Sequence, residues 1–167
     1  MHAQKGRFLI RSAKHADSVL ILGFIRELAE YEKLAHEVVA TEEDIQVNLF
    51  GAHPKAECVI AEFANQPVGF ALFFHNFSTF MGRPGLYLED LYMKPGFRGR
   101  GFGRKLLAHL ARLAVQRGCG RFEWAVLDWN APAMRFYKSL GARILDDWRI
   151  NRLAGDALAK LADEAKD

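Results

Sequence analysis

Apolar positions along the chain follow two patterns, one of period two and one of helical period. Period-two alternation and short apolar runs predict strands at residues 7–11, 57–64, 68–75, 85–93, 121–127 and about 142–150. Helical spacing predicts helices at residues 16–34, between 41 and 51, between 103 and 118, between 130 and 141, and in an exposed tail from residue 156. This order predicts an α+β fold with a mixed, mostly antiparallel sheet and helices on both of its faces.

Turn and cap residues support these boundaries. Thr41 and Asp44 have the spacing of a capping box at the start of the second helix. The segment at residues 65–67, Asn-Gln-Pro, separates two strand-like runs and predicts a hairpin. Asn130 is expected to cap a short helix that Gly141 ends.

Length and composition indicate a single folded domain. The chain has 167 residues and half of them are hydrophobic, so we expect one domain over residues 1–167 with a substantial core. It has no run of about 18 consecutive apolar residues, and its first residues are too polar for a signal peptide, so a cytoplasmic location is expected. Cys58 and Cys119 lie outside any metal-ligand spacing, and we expect reduced thiols and no bound metal.

Charge is unevenly distributed along the chain, although the formal net charge is only +3. Basic residues concentrate at residues 98–105, and acidic residues concentrate at residues 27–37. The first segment can attract an anion and the second a cation. A net charge this small is not typical of a dedicated nucleic-acid-binding protein.

The glycine-rich segment RGRGFG, residues 98–103, lies between a predicted strand and a predicted helix. Glycines let backbone N–H groups approach an anion closely, and a helix N-terminus adds unsatisfied donors and a positive dipole end. Arginine adds charge and bidentate geometry. A pyrophosphate is the expected ligand, but the segment is neither a Walker A loop nor a dinucleotide-binding fingerprint. The alternative is a glycine-rich loop with solvated arginines.

Two carboxylates interrupt the apolar strand predicted at residues 85–93. Alternation predicts one face formed by Tyr87, Glu89, Leu91 and Met93, and an opposite face formed by Leu88, Asp90 and Tyr92. A carboxylate inside a strand is costly to bury unless it is paired or functional, and burial raises its pKa toward that of a general base. We predict a functional role for Glu89 and favour a structural one for Asp90.

Tyr137 lies near the end of the short helix that Asn130 begins. Its phenol, with an ordinary pKa of about 10, could protonate a leaving thiolate whose pKa is about 8.5. A buried core tyrosine is the alternative for such a position.

Several of these motifs resemble those of a known superfamily. The segment at residues 98–103 resembles the Arg/Gln-x-x-Gly-x-Gly/Ala motif of the GNAT acetyltransferases. Trp129-Asn130, followed by Phe136-Tyr137, resembles the downstream motif of that superfamily.

Other segments narrow the resemblance to the diamine, or spermidine/spermine, N-acetyltransferases. These segments are ELAEYE at residues 27–32, YLED at residues 87–90 and Trp148-Arg149. The similarity extends over about residues 7–150. It implies a homodimer that needs no metal.

The resemblance also implies how acetyl-CoA and the amine bind. The residues it places against acetyl-CoA are Leu91, Tyr92, Met93, Arg98, Gly99, Arg100, Gly101, Phe102, Gly103, Arg104 and Asn130. It makes Tyr137 the general acid for the departing CoA thiolate and Glu89 the acceptor of the amine proton, through water. The candidate substrate-binding residues are Glu27, Tyr31, Glu32, Glu89 and Asp90. For the helical residues among them, a solvated acidic face is the alternative.

The predicted function is therefore the transfer of an acetyl group from acetyl-CoA to a primary amine of a small polycationic substrate. A diamine, a polyamine or a thialysine-like amino acid fits this description. The alternatives are another amine, such as an antibiotic or a protein N-terminus, and a non-catalytic module that binds CoA. A nucleic-acid partner is not expected, because few stacking aromatic residues interrupt the basic segment at residues 98–105, and no membrane partner is expected.

Overall fold

Five strands form one mixed sheet in a computed structural model of the chain, which describes residues 6–165. The strands are β1 (Phe8–Ser12), β2 (Glu57–Phe63), β3 (Gln66–Ser78), β4 (Arg83–Met93) and β5 (Arg121–Trp124). They lie in the order β1-β2-β3-β4-β5, and only the β4–β5 pair is parallel. The predicted α+β class with a mostly antiparallel sheet is confirmed.

Five α-helices accompany the sheet, and the chain divides into two compact units between Leu127 and Asp128. The helices are α1 (Ser18–Tyr31), α2 (Glu42–Phe50), α3 (Phe102–Gln116), α4 (Ala131–Ser139) and α5 (Gly155–Asp163). The first unit contains the sheet with α1 to α3, and the second contains α4 and α5. The helix predicted at residues 16–34 is shorter at both ends, because a 3₁₀ turn at His15–Asp17 precedes α1 and a non-helical turn at residues 32–33 follows it.

Aromatic residues pack α1 and α3 against opposite faces of the sheet. Phe24 of α1 lies 5.5 Å from Phe70 and 6.0 Å from Tyr92, measured between ring centroids. Phe102 of α3 stacks on Phe8 at 4.3 Å and lies 5.3 Å from Phe63. Because α1 covers one face and α3 the other, the prediction of helices on both faces is confirmed.

The predicted hairpin between β2 and β3 is present, with a turn one residue earlier than expected. Ala64 and Asn65 form this turn with φ values of 51° and 63°, both left-handed. A two-residue turn of this kind matches the right-handed twist of the strands. Gln66 and Pro67 therefore belong to β3.

The prediction of a strand at about residues 142–150 is wrong. The structure has irregular backbone there, with a turn at Asp146-Asp147. Trp148 is 78% exposed and Ile150 is 79% exposed. A run of β-type residues forms a strand only where a neighbouring strand supplies hydrogen bonds and packing. In the described part of the chain, the sheet ends at β5 and this segment is not part of it.

The packing of Phe24 yields a stability prediction. Phe24→Ala should lower the free energy of unfolding by about 3–5 kcal/mol, because it leaves a cavity under the sheet. Urea unfolding followed by tryptophan fluorescence measures the change. Phe80→Ala is the matched control, because this ring is 100% exposed and its loss should change stability by at most about 0.5 kcal/mol. Equal losses in the two variants would contradict this packing.

Candidate active site

An irregularity in the pairing of β3 with β4 places one extra residue, Glu89, in β4. Asp90 pairs with Leu72, whereas Leu88 pairs with Phe73, the next residue along β3. Leu72 and Phe73 point to opposite faces, so Leu88 and Asp90 do as well. The simple alternation predicted for this strand is therefore wrong at Glu89, because a bulge reverses the faces there.

The same bulge coincides with the point where β4 and β5 separate. Their parallel pairing ends at Leu88 and Trp124, although β4 continues to Met93. The backbone N–H of Lys94 donates to the Val68 carbonyl at 2.8 Å, so alternation turns the peptide groups of Leu91 and Met93 away from β3. This edge of β4 can pair with an extended ligand that carries amide groups.

The glycine-rich segment forms a left-handed turn before α3. Gly99 has φ 72° and Gly101, the N-cap of α3, has φ 76°, values that strain any residue with a Cβ. A Cβ built at either position, or at Gly103, would meet no heavy atom within 4 Å. Open space beside the N-terminus of a 15-residue helix suits an anion, because the first-turn N–H groups have no partners within the helix.

Two basic side chains near this turn lie over an aromatic cluster formed by Phe8, Phe63, Phe97 and Phe102. The Arg100 guanidinium lies 5.3 Å from the Phe97 ring centroid, and the Lys105 ammonium lies 5.3 Å from that of Phe8. Phe102 itself is buried at 6% exposure. Cation–π contacts hold both charges close to the turn.

Arg98 points elsewhere. Its Nε–H donates to the Met93 carbonyl at 2.8 Å. Its guanidinium carbon lies 4.7 Å from the ring centroid of Tyr31 and 5.5 Å from that of Tyr92. The side chain therefore joins the glycine-rich turn to the end of α1.

The acidic residues of α1 and β4 meet on the face of the sheet that α1 covers. The Tyr92 hydroxyl donates to Glu27 Oε2 at 2.8 Å. Burial, followed by the hydrogen bond to Glu27, raises the pKa of Tyr92 to about 12. The phenol therefore stays protonated at neutral pH and holds the Glu27 carboxylate in place.

Asp90 has the most altered carboxyl group of this acidic cluster. Burial, with smaller contributions from the charges of Glu89 and Glu32, raises its pKa to about 6. Burial also raises the pKa of Glu32. The charges of Glu32 and Glu89 thus lie close enough to Asp90 for electrostatic interaction. A cation entering this cluster would relieve the repulsion among the carboxylates.

Sequence reasoning favoured Glu89 over Asp90 as the functional acid. It missed the raised pKa of Asp90, because the bulge that sets the direction of this side chain leaves no mark on the pattern of apolar residues. The available indication was the acidic pair itself within an apolar strand.

The β-strand next to this cluster carries a buried thiol. Cys58 of β2 pairs with Leu72, which in turn pairs with Asp90. Burial raises the pKa of the Cys58 thiol to about 12. The thiol is therefore protonated at neutral pH and is not a nucleophile.

The second unit contains two of the predicted site residues. Asn130 caps α4, and its Oδ1 accepts a hydrogen bond from the Ala133 N–H at 3.4 Å, as predicted. Tyr137 lies on α4, with its ring centroid 5.6 Å from that of Phe136. Both side chains are half-buried.

Two further structural features concern metals and membranes. Within residues 6–165, no group of three or more His, Cys, Asp or Glu side chains is arranged to hold a metal ion. The helices of this same region are too short or too polar to cross a bilayer.

Together these features form two binding surfaces. The glycine-rich turn and the edge of β4 suit a pyrophosphate joined to a chain of amides. The acidic cluster suits a cation, and it includes a carboxyl group that changes protonation near neutral pH.

Known proteins resemble this chain over most of its length. The chain is 44% identical over 165 residues to a thialysine N-epsilon-acetyltransferase of Sus scrofa, covering 92% of this chain and 96% of the relative. It is 32% identical to an L-ornithine N5-acetyltransferase of Arabidopsis thaliana, over 89% and 85% of the two chains. It is also 32% identical to the spermidine/spermine N(1)-acetyltransferase-like protein 1 of Homo sapiens, with 93% of this chain and 24% of that protein covered.

One solved structure and one family model are also similar to this chain. An integron cassette protein from the mobile metagenome of V. cholerae superposes with a TM-score of 0.79 and 28% identity, over 93% of this chain and 97% of that one. The model of the Acetyltransferase (GNAT) family matches residues 22–142, well over half of the sequence. The chain therefore belongs to the GNAT family and is an acetyl-CoA-dependent amine N-acetyltransferase.

Proposed function

We propose that this enzyme acetylates the terminal primary amine of a small polycationic substrate, either a thialysine-like amino acid or a diamine or polyamine. The observation that carries the proposal is the cluster of Glu32, Glu89 and Asp90 beside Glu27, in which the pKa of Asp90 is raised to about 6. Such a cluster attracts an ammonium group, and the positive charge of that group stabilises the ionised carboxylates. The relatives named for thialysine and ornithine acetylation favour an amino acid with a side-chain amine.

Most of the residues that we assign to acetyl-CoA lie in the first unit, which also carries the acidic cluster. We assign its pyrophosphate to the turn at residues 98–104, where open glycine positions precede the N-terminus of α3. We assign its pantetheine amides to the outward peptide groups of Leu91 and Met93. The assignment also includes Asn130, as the family resemblance implies.

The proposed reaction is direct transfer without an acyl-enzyme intermediate. An alkylammonium has a pKa near 10.4 and must lose a proton before its nitrogen can attack the thioester carbonyl. Glu89 accepts this proton through water, next to Asp90. The C–N bond forms as the C–S bond breaks, and Tyr137 donates its proton to the departing thiolate. Solvent then restores the proton of Tyr137.

We further propose that both units serve one N-acetyltransferase domain and that the enzyme is a homodimer. The family match at residues 22–142 crosses the boundary between the units, which supports the first statement. Exposed apolar side chains of the second unit, including Trp148, Ile150, Leu158 and Leu161, support pairing with a second copy.

Turnover with a panel of amines tests the proposed substrate class. CoA release from acetyl-CoA should saturate with thialysine, ornithine, lysine or spermidine at much higher kcat/KM than with an aminoglycoside or a peptide N-terminus. The expectation follows from the small acidic cluster. A preference for the aminoglycoside or the peptide would contradict the substrate class. Binding of acetyl-CoA without turnover of any amine would favour a non-catalytic role.

Tyr137→Phe tests the general acid. It should lower kcat by about 10²- to 10⁴-fold while leaving the acetyl-CoA Kd close to that of the wild type, because only the proton donor is lost. Steady-state kinetics and calorimetric titration measure the two quantities. Tyr87→Phe is the control, since this phenol of β4 lies against Phe74 of β3 and has no proposed role. Unchanged turnover in Tyr137→Phe would rule out the general-acid role.

Glu89→Gln tests the proton relay through the pH dependence of kcat/KM. In the wild type, kcat/KM should fall as the pH drops through about 6, because Asp90 then gains a proton and no longer attracts the ammonium. The charge of Glu89 contributes to the raised pKa of Asp90. Glu89→Gln should therefore move this acidic limb of the pH profile to lower pH, and it should also reduce the maximal kcat/KM. Asp90→Asn should abolish the limb. A profile that Glu89→Gln leaves unchanged would contradict the relay.

A further inference from the structure

Arg98 differs from the other basic residues of the glycine-rich turn in what its side chain contacts. Arg100 and Lys105 lie over the aromatic cluster of Phe8, Phe63, Phe97 and Phe102, on the face of the sheet that α3 covers. Arg98 instead extends to Tyr31 and Tyr92, on the face that α1 covers. The Arg98 side chain therefore extends from the turn toward the two tyrosines that lie next to the acidic cluster.

Its contacts connect the two binding surfaces through a short chain of groups. The backbone of Arg98 begins the turn assigned to the pyrophosphate, and its Nε–H binds the Met93 carbonyl on the open edge of β4. Its guanidinium lies over the Tyr92 ring, 5.5 Å from the centroid, and the Tyr92 hydroxyl donates to Glu27 at 2.8 Å. The guanidinium also lies over the ring of Tyr31, the residue before Glu32. Both aromatic contacts thus lie next to carboxylates assigned to the amine.

We propose that Arg98 is a positioning residue that couples acetyl-CoA binding at the glycine-rich turn to the ordering of the amine site at the end of α1. The inference rests on the proposed function for the location of both sites. Arg98 acts through Tyr31 and Tyr92 and needs no contact with either reacting group.

The coupling arises from restricted motion. Residues without a Cβ have more accessible backbone conformations, so Gly99 and Gly101 leave the turn more freedom than other residues would, and a bound pyrophosphate reduces that freedom. With its backbone held, the Arg98 side chain stays on the two tyrosines and restrains the last turn of α1. The amine then meets a site that is already ordered, so it binds more tightly. By linkage the amine strengthens CoA binding by the same factor, typically about 5- to 150-fold.

Hydrogen exchange with CoA alone tests this coupling without any assumption about the amine. CoA should slow amide exchange at residues 27–32 in the wild type by about fivefold or more. Arg98→Gln should remove this protection, even at CoA concentrations that saturate the variant. Arg98→Lys should also fail to restore it, since an ammonium lacks the planar group that stacks and donates from Nε. The inference would be overturned if CoA did not slow exchange at these residues in the wild type, or if Arg98→Gln kept the protection.

Arg100→Gln is the matched control. It removes the same charge from the same turn, so it should weaken CoA binding but keep the protection of residues 27–32 once CoA saturates the protein. Equal loss of protection in Arg98→Gln and Arg100→Gln would assign the effect to charge alone and contradict the role of Arg98.

A second measurement separates this inference from the proposed function. The Kd of thialysine, measured with and without saturating CoA, should fall with CoA in the wild type and in Arg100→Gln and stay constant in Arg98→Gln. If the wild type acetylates amines but CoA does not change its Kd for thialysine, the result contradicts the coupling and leaves the proposed function intact. If acetyl-CoA binds and no amine reacts, the function fails, and the exchange experiment still decides the coupling.

Discussion

The extra residue at Glu89 constrains both ends of β4. Before the bulge, Leu86 and Leu88 are buried, and β4 pairs with β3 on one side and β5 on the other. After it, the faces of the strand are exchanged, and Asp90 and Tyr92 lie under α1. Because pairing with β5 stops at the same point, the outer edge of β4 is open beyond Leu88. The inserted residue thus turns Asp90 toward α1, and the open edge of β4 begins at the same point.

The charged surface beneath α1 is maintained by apolar packing around it. Phe24, Phe70 and Tyr92 pack together and hold α1 against the sheet, which places Glu27 within hydrogen-bonding distance of Tyr92. Burial raises the pKa of Asp90 to about 6, and repulsion by the charges of Glu89 and Glu32 adds a smaller contribution. A cation beside these carboxylates would offset the cost of their burial and repulsion.

Most of the fold could be predicted from the sequence because strands and helices that bury one face carry periodic apolar residues. The β2–β3 hairpin, the capping of α2 by Thr41 and the glycine-rich start of α3 all follow from local patterns. The strand expected at residues 142–150 failed because a strand depends on a neighbour that no local pattern specifies. The alternation predicted for β4 is wrong at Glu89 for a related reason, because the register of a strand depends on its pairing with a neighbouring strand.

The candidate site follows the same division. The acidic residues of α1 and the basic turn before α3 were visible as clusters of charge in the sequence. The direction of each side chain is not visible there, so the sequence does not distinguish Arg98 from Arg100, although Arg98 contacts Tyr92 on one face of the sheet and Arg100 contacts Phe63 on the other. The raised pKa of Asp90 likewise depends on burial by residues far apart in the chain.

The buried thiol of Cys58 has a consequence for the product of the reaction. Every turnover releases CoA, a free thiol that forms mixed disulfides with reactive cysteines once oxidants are present. At pH 8 a thiol of pKa about 12 is ionised in only about one molecule in ten thousand, and Cys58 is also 7% exposed. The cysteine nearest the acidic cluster is therefore protected from covalent capture by the enzyme's own product.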